Sequence, residues 1–429
     1  MDKLIIEGGH ALSGNITPSG NKNAALPLLA ACMLTDDKIV LHNVPDILDV
    51  RTMRALLESM GIEIQTTAPN VWQIQARQVR PADLDPDLCR SIRASILLAG
   101  PMAARAGSLE LPPPGGDVIG RRRVDTHILA LEKLGAQAEF NRTEKMFQFS
   151  SPSLSGADIL LDEASVTATE NAIMAAVTAN GSTTIRNAAS EPHIQELCHF
   201  INGMGAQISH IGSNALRIEG VPKLHGTEFT IGPDYLEVVS LIGAAVVTHG
   251  SIKIHNAAPH YLDMIAMVFS RLGVMWEVDG ESVVVPADQA LEIQSDLGDA
   301  IPEISVMPWP AFPTDLMSIA IVVATQAHGS ILFHDWMYPS RMFFIDKLVN
   351  MGAQIVLCDP HRCIVNGPTQ LFGENLESPD IRAGMSLLLA ALAASGKSEI
   401  RNVSQIDRGY ERVDKKFQIL GARIQRVSG

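Results

Sequence analysis

The stretch MGAQISH, residues 204–210, reads as the end of one helix and the start of one strand. An apolar residue closes an amphipathic run, and glycine stands where a helix C-cap adopts positive φ. Alternating apolar residues then open an extended segment. The same punctuation returns at MGIEI (60–64), LGAQAEF (134–140), LGVMWEV (272–278), MGAQIVL (351–357) and LGARIQR (420–426), a period of about 70 residues. Segments such as VRTMRALLES (50–59), VDTHILALEK (124–133) and RMFFIDKLVN (341–350) precede these copies with apolar residues at helical spacing.

A second series runs in step. Ala-rich runs at AALPLLAACML (24–34), ASILLAGPMAARA (94–106), ENAIMAAVTAN (170–180), VVSLIGAAVVTHG (238–250), LMSIAIVVATQAHG (316–329) and GMSLLLAALAASG (384–396) lead into strand-like segments. GSTTIRNAA, GSIKIHNAA and GKSEIRNV are examples of those segments. Helices apolar nearly all round belong in domain interiors. The repeating unit is strand–helix–strand–helix–strand–strand, six times over. A chain of 429 residues exceeds what one core usually serves, so the reading is an α/β protein of two domains with three units each, closed with pseudo-threefold symmetry.

The formal net charge is −14. Such a field repels nucleic-acid backbones and anionic membranes, so neither is expected as a partner. Apolar runs such as LMSIAIVVATQA (316–327) fall short of the roughly 20 residues of a membrane helix. The first residues, MDKLIIEGGHALSG, lack the pattern of a secretory signal. A cytoplasmic location is expected. Five cysteines, few and odd in number, suit free thiols. CDPHRC (358–363) places His361 between two of them, but no second ligand pair has metal-site spacing, so a hairpin turn is expected and no metal.

Against this acidic background one segment stands out. LPPPGGDVIGRRRVD (111–125) sets three prolines, three glycines, two acids and three arginines between two helical segments. Prolines give stiff arms and glycines a pliable crest, a composition that suits either a loop that closes over a ligand or a rigid turn whose acid is solvated or paired with Arg121 to Arg123. An acidic protein that concentrates arginine in one place is built to hold anions there.

SGNKNAALPLLAA, IRASILLAGPMAAR, PPGGDVIGRRRVDTHI, ASVTATENAIMAA, AASEPHI, PWPAFPTDL, SPDIRAGMSLLLAA and IDRGYERV together resemble the UDP-N-acetylglucosamine enolpyruvyl transferases along the whole chain. The resemblance implies an inside-out α/β barrel of two domains, each of three βαβαββ units. In that family the first strand joins the C-terminal domain, which gives domains of 1–20 with 231–429 and of 21–230, the latter carrying the loop 112–125. It further implies transfer of the enolpyruvyl group of phosphoenolpyruvate to the sugar 3-hydroxyl of UDP-N-acetylglucosamine, by addition and elimination, with release of phosphate and no cofactor.

By the same resemblance Lys22, Arg93, Arg122 and Arg408 contact phosphoenolpyruvate, Arg382 lies near it, and Arg341 matches a further family arginine. Asn23 holds the sugar hydroxyl or the intermediate. Val124, Asp125 and Thr126 align with the uracil segment, and Ser165, Val166 and Thr167 with a diphosphate turn. Asp315 matches the residue that takes the 3-hydroxyl proton. Asp380 is the second acid of the pocket, expected to orient Lys22 or assist proton traffic. Asp117 occupies the loop position where many members carry a cysteine that serves as general acid and is alkylated by fosfomycin, so insensitivity to that compound is expected. A free carboxyl titrates near about 3.9, and desolvation in a closed loop beside phosphate raises that value.

Departures from the family pattern include Thr167, where glycine is usual, Glu163 for a lysine, Val239 for a small residue, Met317 for a glutamine, and Arg121 and Arg123, which read either as exposed or as steering charges. Two alternatives stay open from sequence: a sister enolpyruvyl transferase using shikimate 3-phosphate or another nucleotide, and a non-catalytic binder.

Overall fold

The computed structural model describes residues 2–116, 119, 120 and 122–428. The chain divides into two compact units, one of residues 20–116 and 122–232, the other of residues 2–19, 119–120 and 233–428. Each has its own hydrophobic core.

The repeat punctuation becomes geometry directly. Gly61, Gly135, Gly205, Gly273, Gly352 and Gly421, one per copy, all have φ between 78° and 105° just past a helical segment. L-residues rarely tolerate that region, so glycine lets each turn into the next strand proceed without strain. The Ala-rich helices are interior, as their uniform apolarity demands. Every residue of Tyr235–Val247 and of Met317–Ala324 is buried, and these two pack with Ile381–Ala393 at the centre of their unit. In the other unit Lys22–Ala31, the helical run 93–105 and Val166–Ala176 take the same place.

Among the described residues six separate sheets accompany these helices. The layer at each centre is helical and the sheets lie outside it, which is the inside-out arrangement. The complete sheet pattern is one parallel pair followed by two antiparallel neighbours. Glu303–Ser305, for example, runs parallel to Gly329–His334, which pairs antiparallel with Arg362–Gly367 and that in turn with Gln354–Asp359. The last two strands form the hairpin expected around CDPHRC, with Cys363 buried and Cys358 exposed. The first strand, Lys3–Glu7, sits between Lys397–Arg401 and Arg423–Val427, with Leu4 and Ile6 turned inward.

One repeat departs from the sixfold expectation. The sheet of Ser108–Leu111, Met146–Ser150 and Gln137–Asn141 has three strands, and the parallel edge strand that should open the copy is missing among the described residues. The segment RPADLDPDL forms instead a turn at Pro81–Asp83 and a short helix Pro86–Ser91. Proline cannot donate to a ladder, and two of them five residues apart exclude a strand. That incomplete copy is also the one that carries the long Pro/Gly/Arg connection.

In the complete copies both strands of the parallel pair release their connections at the same edge of the sheet. Open α/β sheets collect their ligands at the carboxyl ends of strands for this reason. Except for Arg93, Arg122, Val124, Asp125 and Thr126, which belong to the incomplete copy, the expected site residues among the described ones lie in connections leaving such ends or near the start of the helix that follows.

Candidate active site

In the unit of residues 233–428 the central group is Asp315. It lies in the one-turn 3₁₀ segment Thr314–Leu316, ahead of the buried helix Met317–Ala324. The N-cap position of the turn falls to Pro313, so Asp315 is not a capping side chain. Its carboxylate is gripped from both sides. Arg341 Nη2 donates to Oδ1 at 2.6 Å, and Arg382 donates to Oδ2 through Nε at 3.2 Å, with its Nη2 at the same distance in the ion pair.

Both arginine side chains are nearly inaccessible, 11% and 7% exposed, against 25% for Asp315. Burial weakens each guanidinium's hold on its proton, but the charge of Asp315 together with the other acidic and phenolic neighbours outweighs it, and both titrate above the ordinary arginine value. Arg341 lies over the ring of Tyr338 at 5.3 Å. Arg382 Nη1 donates to the Tyr410 hydroxyl at 3.2 Å. Ser240 gives its own proton to the Leu236 carbonyl, so Tyr410 donates to Ser240 and offers its oxygen lone pairs to Arg382.

Asp380 caps the helix Ile381–Ala393, its Oδ1 accepting from the backbone N–H groups of Arg382 and Ala383 at 2.8 and 2.9 Å. The cap fixes the turn from which Arg382 projects, and the Asp380 charge also favours protonated Arg341. Arg408, half-buried, contacts Gln405 Oε1 through Nη1 at 3.2 Å. This cluster offers a carboxylate at the rim of a buried cationic seat. An incoming oxyanion can share the guanidiniums while the carboxylate accepts a proton.

In the unit of residues 20–232, Lys22 begins the helix Lys22–Ala31, whose N-cap Asn21 accepts from Asn23 and Ala24. Lys22 Nζ meets Asp49 Oδ2 at 2.7 Å with both side chains buried. Asn23 is half-buried beside it. Arg93 opens the 3₁₀ run Arg93–Leu98 and donates from Nη2 to the Arg123 carbonyl at 2.7 Å. Arg123 is thus a strut: its guanidinium bonds Asp125 Oδ2 at 3.1 Å and Asp162 Oδ2 at 2.9 Å. Thr126, fully buried, donates to Asp162 Oδ1 at 2.7 Å. The Thr126 hydroxyl and Arg123 together hold the Asp162 carboxyl below its usual range. Val124 and Asp125 start the helix Asp125–Lys133, along which Asp125, Ile128, Leu129, Glu132 and Lys133 line a depression of about 400 Å³. Arg122 is half-buried and has no carboxylate partner among the described residues. The readings on Asp117 and Arg121 lie outside the described residues.

Ser165 caps the helix Val166–Ala176, its Oγ accepting from Ala168 N–H, with Thr167 half-buried in the first turn. Thr167 ends a fixed chain of hydrogen bonds. Asn171 Oδ1 accepts from Gly100 N–H at 2.7 Å and its Nδ2 donates to the Ile96 carbonyl at 2.8 Å, which sets the amide orientation. The same Nδ2 faces His127 Nδ1 at 2.8 Å, so Nδ1 must accept and the ring proton sits on Nε2. Nε2–H then donates to Thr167 Oγ1 at 3.1 Å, and the threonine proton points away from the chain. Burial, with help from the Arg93 charge, pushes the His127 imidazole down to about 3, which keeps this polarity.

Asp49, Asp162, His127, Asn171 and Asp335 were not expected from sequence. Each acts on a site residue through space from another helix or loop. The only advance signal was a polar residue on an otherwise apolar helix face, as at Asn171.

Comparison with known proteins shows the family. Residues 6–417 match the family model described as EPSP synthase (3-phosphoshikimate 1-carboxyvinyltransferase). The UDP-N-acetylglucosamine 1-carboxyvinyltransferase of Bradyrhizobium diazoefficiens is 55% identical over 425 residues, covering 99% of this chain and 98% of that one. The Treponema denticola protein of the same name is 52% identical, with 99% of each chain covered. Among solved structures, the enolpyruvyl transferase NikO from Streptomyces tendae superimposes with a TM-score of 0.88 at 23% identity, covering 100% of this chain and 99% of that one. EPSP synthase from Acinetobacter baumannii reaches 0.75 at 16%, with both chains fully covered. These two share the fold.

Proposed function

The chain belongs to the EPSP synthase family, and from that premise we propose how its residues divide the work of a UDP-N-acetylglucosamine 1-carboxyvinyltransferase. The activity is transfer of the enolpyruvyl group of phosphoenolpyruvate to the sugar 3-hydroxyl of UDP-N-acetylglucosamine, with release of phosphate, in peptidoglycan synthesis. The observation that carries the assignment of roles is the seat of Asp315 between Arg341 and Arg382.

Asp315 takes the proton of the 3-hydroxyl as that oxygen attacks the enol-ether carbon of phosphoenolpyruvate. Asp117 delivers a proton to the methylene carbon in the same addition. The tetrahedral adduct then loses a methyl proton and phosphate. Lys22, Arg93, Arg122, Arg382 and Arg408 hold the carboxylate and phosphate of the donor, each charge-assisted bond contributing about 1.5–3 kcal/mol. Arg341 keeps Asp315 in register. Asn23 holds the sugar hydroxyl. Val124, Asp125 and Thr126 take the uracil, Thr126 through its backbone because its hydroxyl is engaged with Asp162. Ser165, Val166 and Thr167 take the diphosphate, and the outward proton of Thr167 supports that role. Asp380 acts by fixing Arg382. Among the described residues no helix is long and apolar enough to cross a membrane; a cytoplasmic location fits five free thiols.

The test is phosphate release from phosphoenolpyruvate with UDP-N-acetylglucosamine as acceptor. Turnover is expected, with loss in Asp117→Ala and no inactivation by fosfomycin. Covalent labelling of any of the five cysteines by fosfomycin with loss of activity would overturn the role given to Asp117.

A further inference from the structure

The repeats themselves point to a residue with a changed job. In four copies the strand that precedes the second helix is followed by an asparagine in the left-handed region: Asn43, Asn187, Asn256 and Asn402, with φ between 48° and 57°. In three of these the side-chain amide reaches the first carbonyl beyond the parallel neighbouring strand. Asn43 donates to Ile231 at 2.9 Å, Asn187 to Leu161 at 3.0 Å and Asn402 to Ser378 at 2.9 Å. The asparagine is a clip that ties the two carboxyl ends of a parallel pair together.

In the copy that holds Asp315 the clip position, after His334, is Asp335. A carboxylate cannot donate. Here the equivalent carbonyl, that of Val306, receives its bond from Trp336 Nε1 at 2.7 Å. Asp335 is thereby released from clip duty. It is fully buried and turned elsewhere. Oδ2 accepts the hydroxyl proton of Thr314 at 2.5 Å, and Oδ1 accepts the backbone N–H groups of Met337 and Tyr338 at 3.0 and 3.2 Å. Its backbone is fastened as well: Asp335 N–H donates to the His361 carbonyl at 2.8 Å, and His361 Nδ1 donates to the Asp335 carbonyl at 2.6 Å.

The two groups of bonds lead to the two halves of one ion pair. Thr314 directly precedes Asp315 in the same one-turn segment, and Tyr338 carries the ring beneath the Arg341 guanidinium. Asp315 and Arg341 meet at 2.6 Å. Burial favours the neutral form of Asp335, while Thr314 and the charge of Arg341 oppose that. With three donors directed at it, the carboxyl has acceptor work only, which its ionised form performs.

We propose that Asp335 is a positioning residue for the reaction: one buried carboxylate sets the base-bearing turn and the arginine-bearing connection against each other, at the place where the sister repeats use an asparagine clip. The inference rests on the reading of Asp315 as the base. Near-attack geometry is sensitive to displacements of about an ångström, which can cost on the order of 100-fold in rate.

The experiment uses the full chain and measures kcat, both KM values and the thermal midpoint for Asp335→Asn, Thr314→Val, Thr314→Ser and Asp315→Asn. Asp335→Asn and Thr314→Val are expected to lower kcat by about tenfold or more, with KM for UDP-N-acetylglucosamine within about threefold. Thr314→Ser, which keeps the hydroxyl, should restore most of the rate. Thr314 lies at the edge of its segment, so its variants report even if Asp335→Asn is poorly folded. Unchanged kcat in Thr314→Val while Asp315→Asn is inactive overturns the role of Asp335 alone. Full turnover in Asp315→Asn overturns the reading of the base, and this inference with it. A kcat loss in Thr314→Val that serine does not rescue, matched by a fallen midpoint, marks a merely structural bond and also overturns the proposal.

Discussion

The two units share one plan, three buried helices with three sheets, yet their centres differ. Around Gly243 the interior of residues 233–428 is apolar: a Cβ there would meet Ile319 Cγ2 at 2.8 Å, Leu389 Cδ2 at 3.1 Å and Val323 Cγ2 at 3.6 Å, from the two partner helices. The matching close approach in residues 20–232 is polar. Gly100 abuts the Asn171 amide, and from Asn171 the hydrogen bonds run out through His127 to Thr167 at the rim. At Gly243 one centre is held by close apolar packing. The other spends interior volume on a proton-ordered line that ends at the half-buried Thr167 hydroxyl. The same scaffold tolerates both because the sheets outside do not sense which is inside.

The strongest way to break this contrast is Asn171→Ala. It strands Gly100 N–H and one nitrogen of His127, while the Ile96 carbonyl keeps the Ala99 N–H, and with about 1–3 kcal/mol for each buried unsatisfied group the expected loss is about 4 kcal/mol in urea or thermal unfolding. A loss under about 1 kcal/mol would mean that the polar line carries no stability. Gly243→Ala sharpens the other half. Alanine favours a helix, but Ile319 is β-branched and cannot swing its methyl aside, so a net loss of about 1–2 kcal/mol is expected, without change in pH dependence. Stabilisation instead would show that the three helices have slack.

The smallest effect is one of sign. Glu170, buried on the Val166–Ala176 helix, is held well above the usual carboxylate range by burial and by the nearby charge of Glu191. Above its unfolded value, near 4.5, the folded chain binds one more proton than the unfolded chain, so stability falls as pH rises toward the folded value. Glu170→Gln removes that dependence. Its gain in thermal midpoint over the parent should be larger at pH 8 than at pH 5; an equal gain at both would show that Glu170 is ionised in the fold. His127 works from the opposite side. Its folded value is about 3, so the unfolded chain binds more protons as pH drops below about 6.5, and stability falls in that direction.

Much of the architecture could be read in advance because its signals are local. A glycine past the helix of each copy and an Ala-rich run through each interior are statements about one or two turns of chain, and they survive folding unchanged. The incomplete copy was misread for an equally local reason, the two prolines at 81 and 86. The charges of the site were legible as residue types, since an acidic chain that gathers arginine advertises an anion. Their pairings were not. Asp315 finds partners 26 and 67 positions along the chain, and Lys22 finds Asp49 on the following helix. Asp335 looked like an ordinary strand end, and only its bonds to Thr314 and Tyr338 set it apart from the asparagines of the sister copies.

The asparagine clips have a consequence for how such a chain changes over time. Because the two strand ends are fastened to each other, the segment that departs from them need not hold them in place. It spans only 43–47 in one clipped copy and 187–191 in another, but 402–412, with one short helical turn inside it, ahead of Val413–Ile419 in a third. Closing a loop of twice the length costs only about 0.6 kcal/mol more. These segments are therefore exchangeable cassettes on fixed mounts, and new acceptor specificities can be tried there by grafting without redesigning the frame beneath.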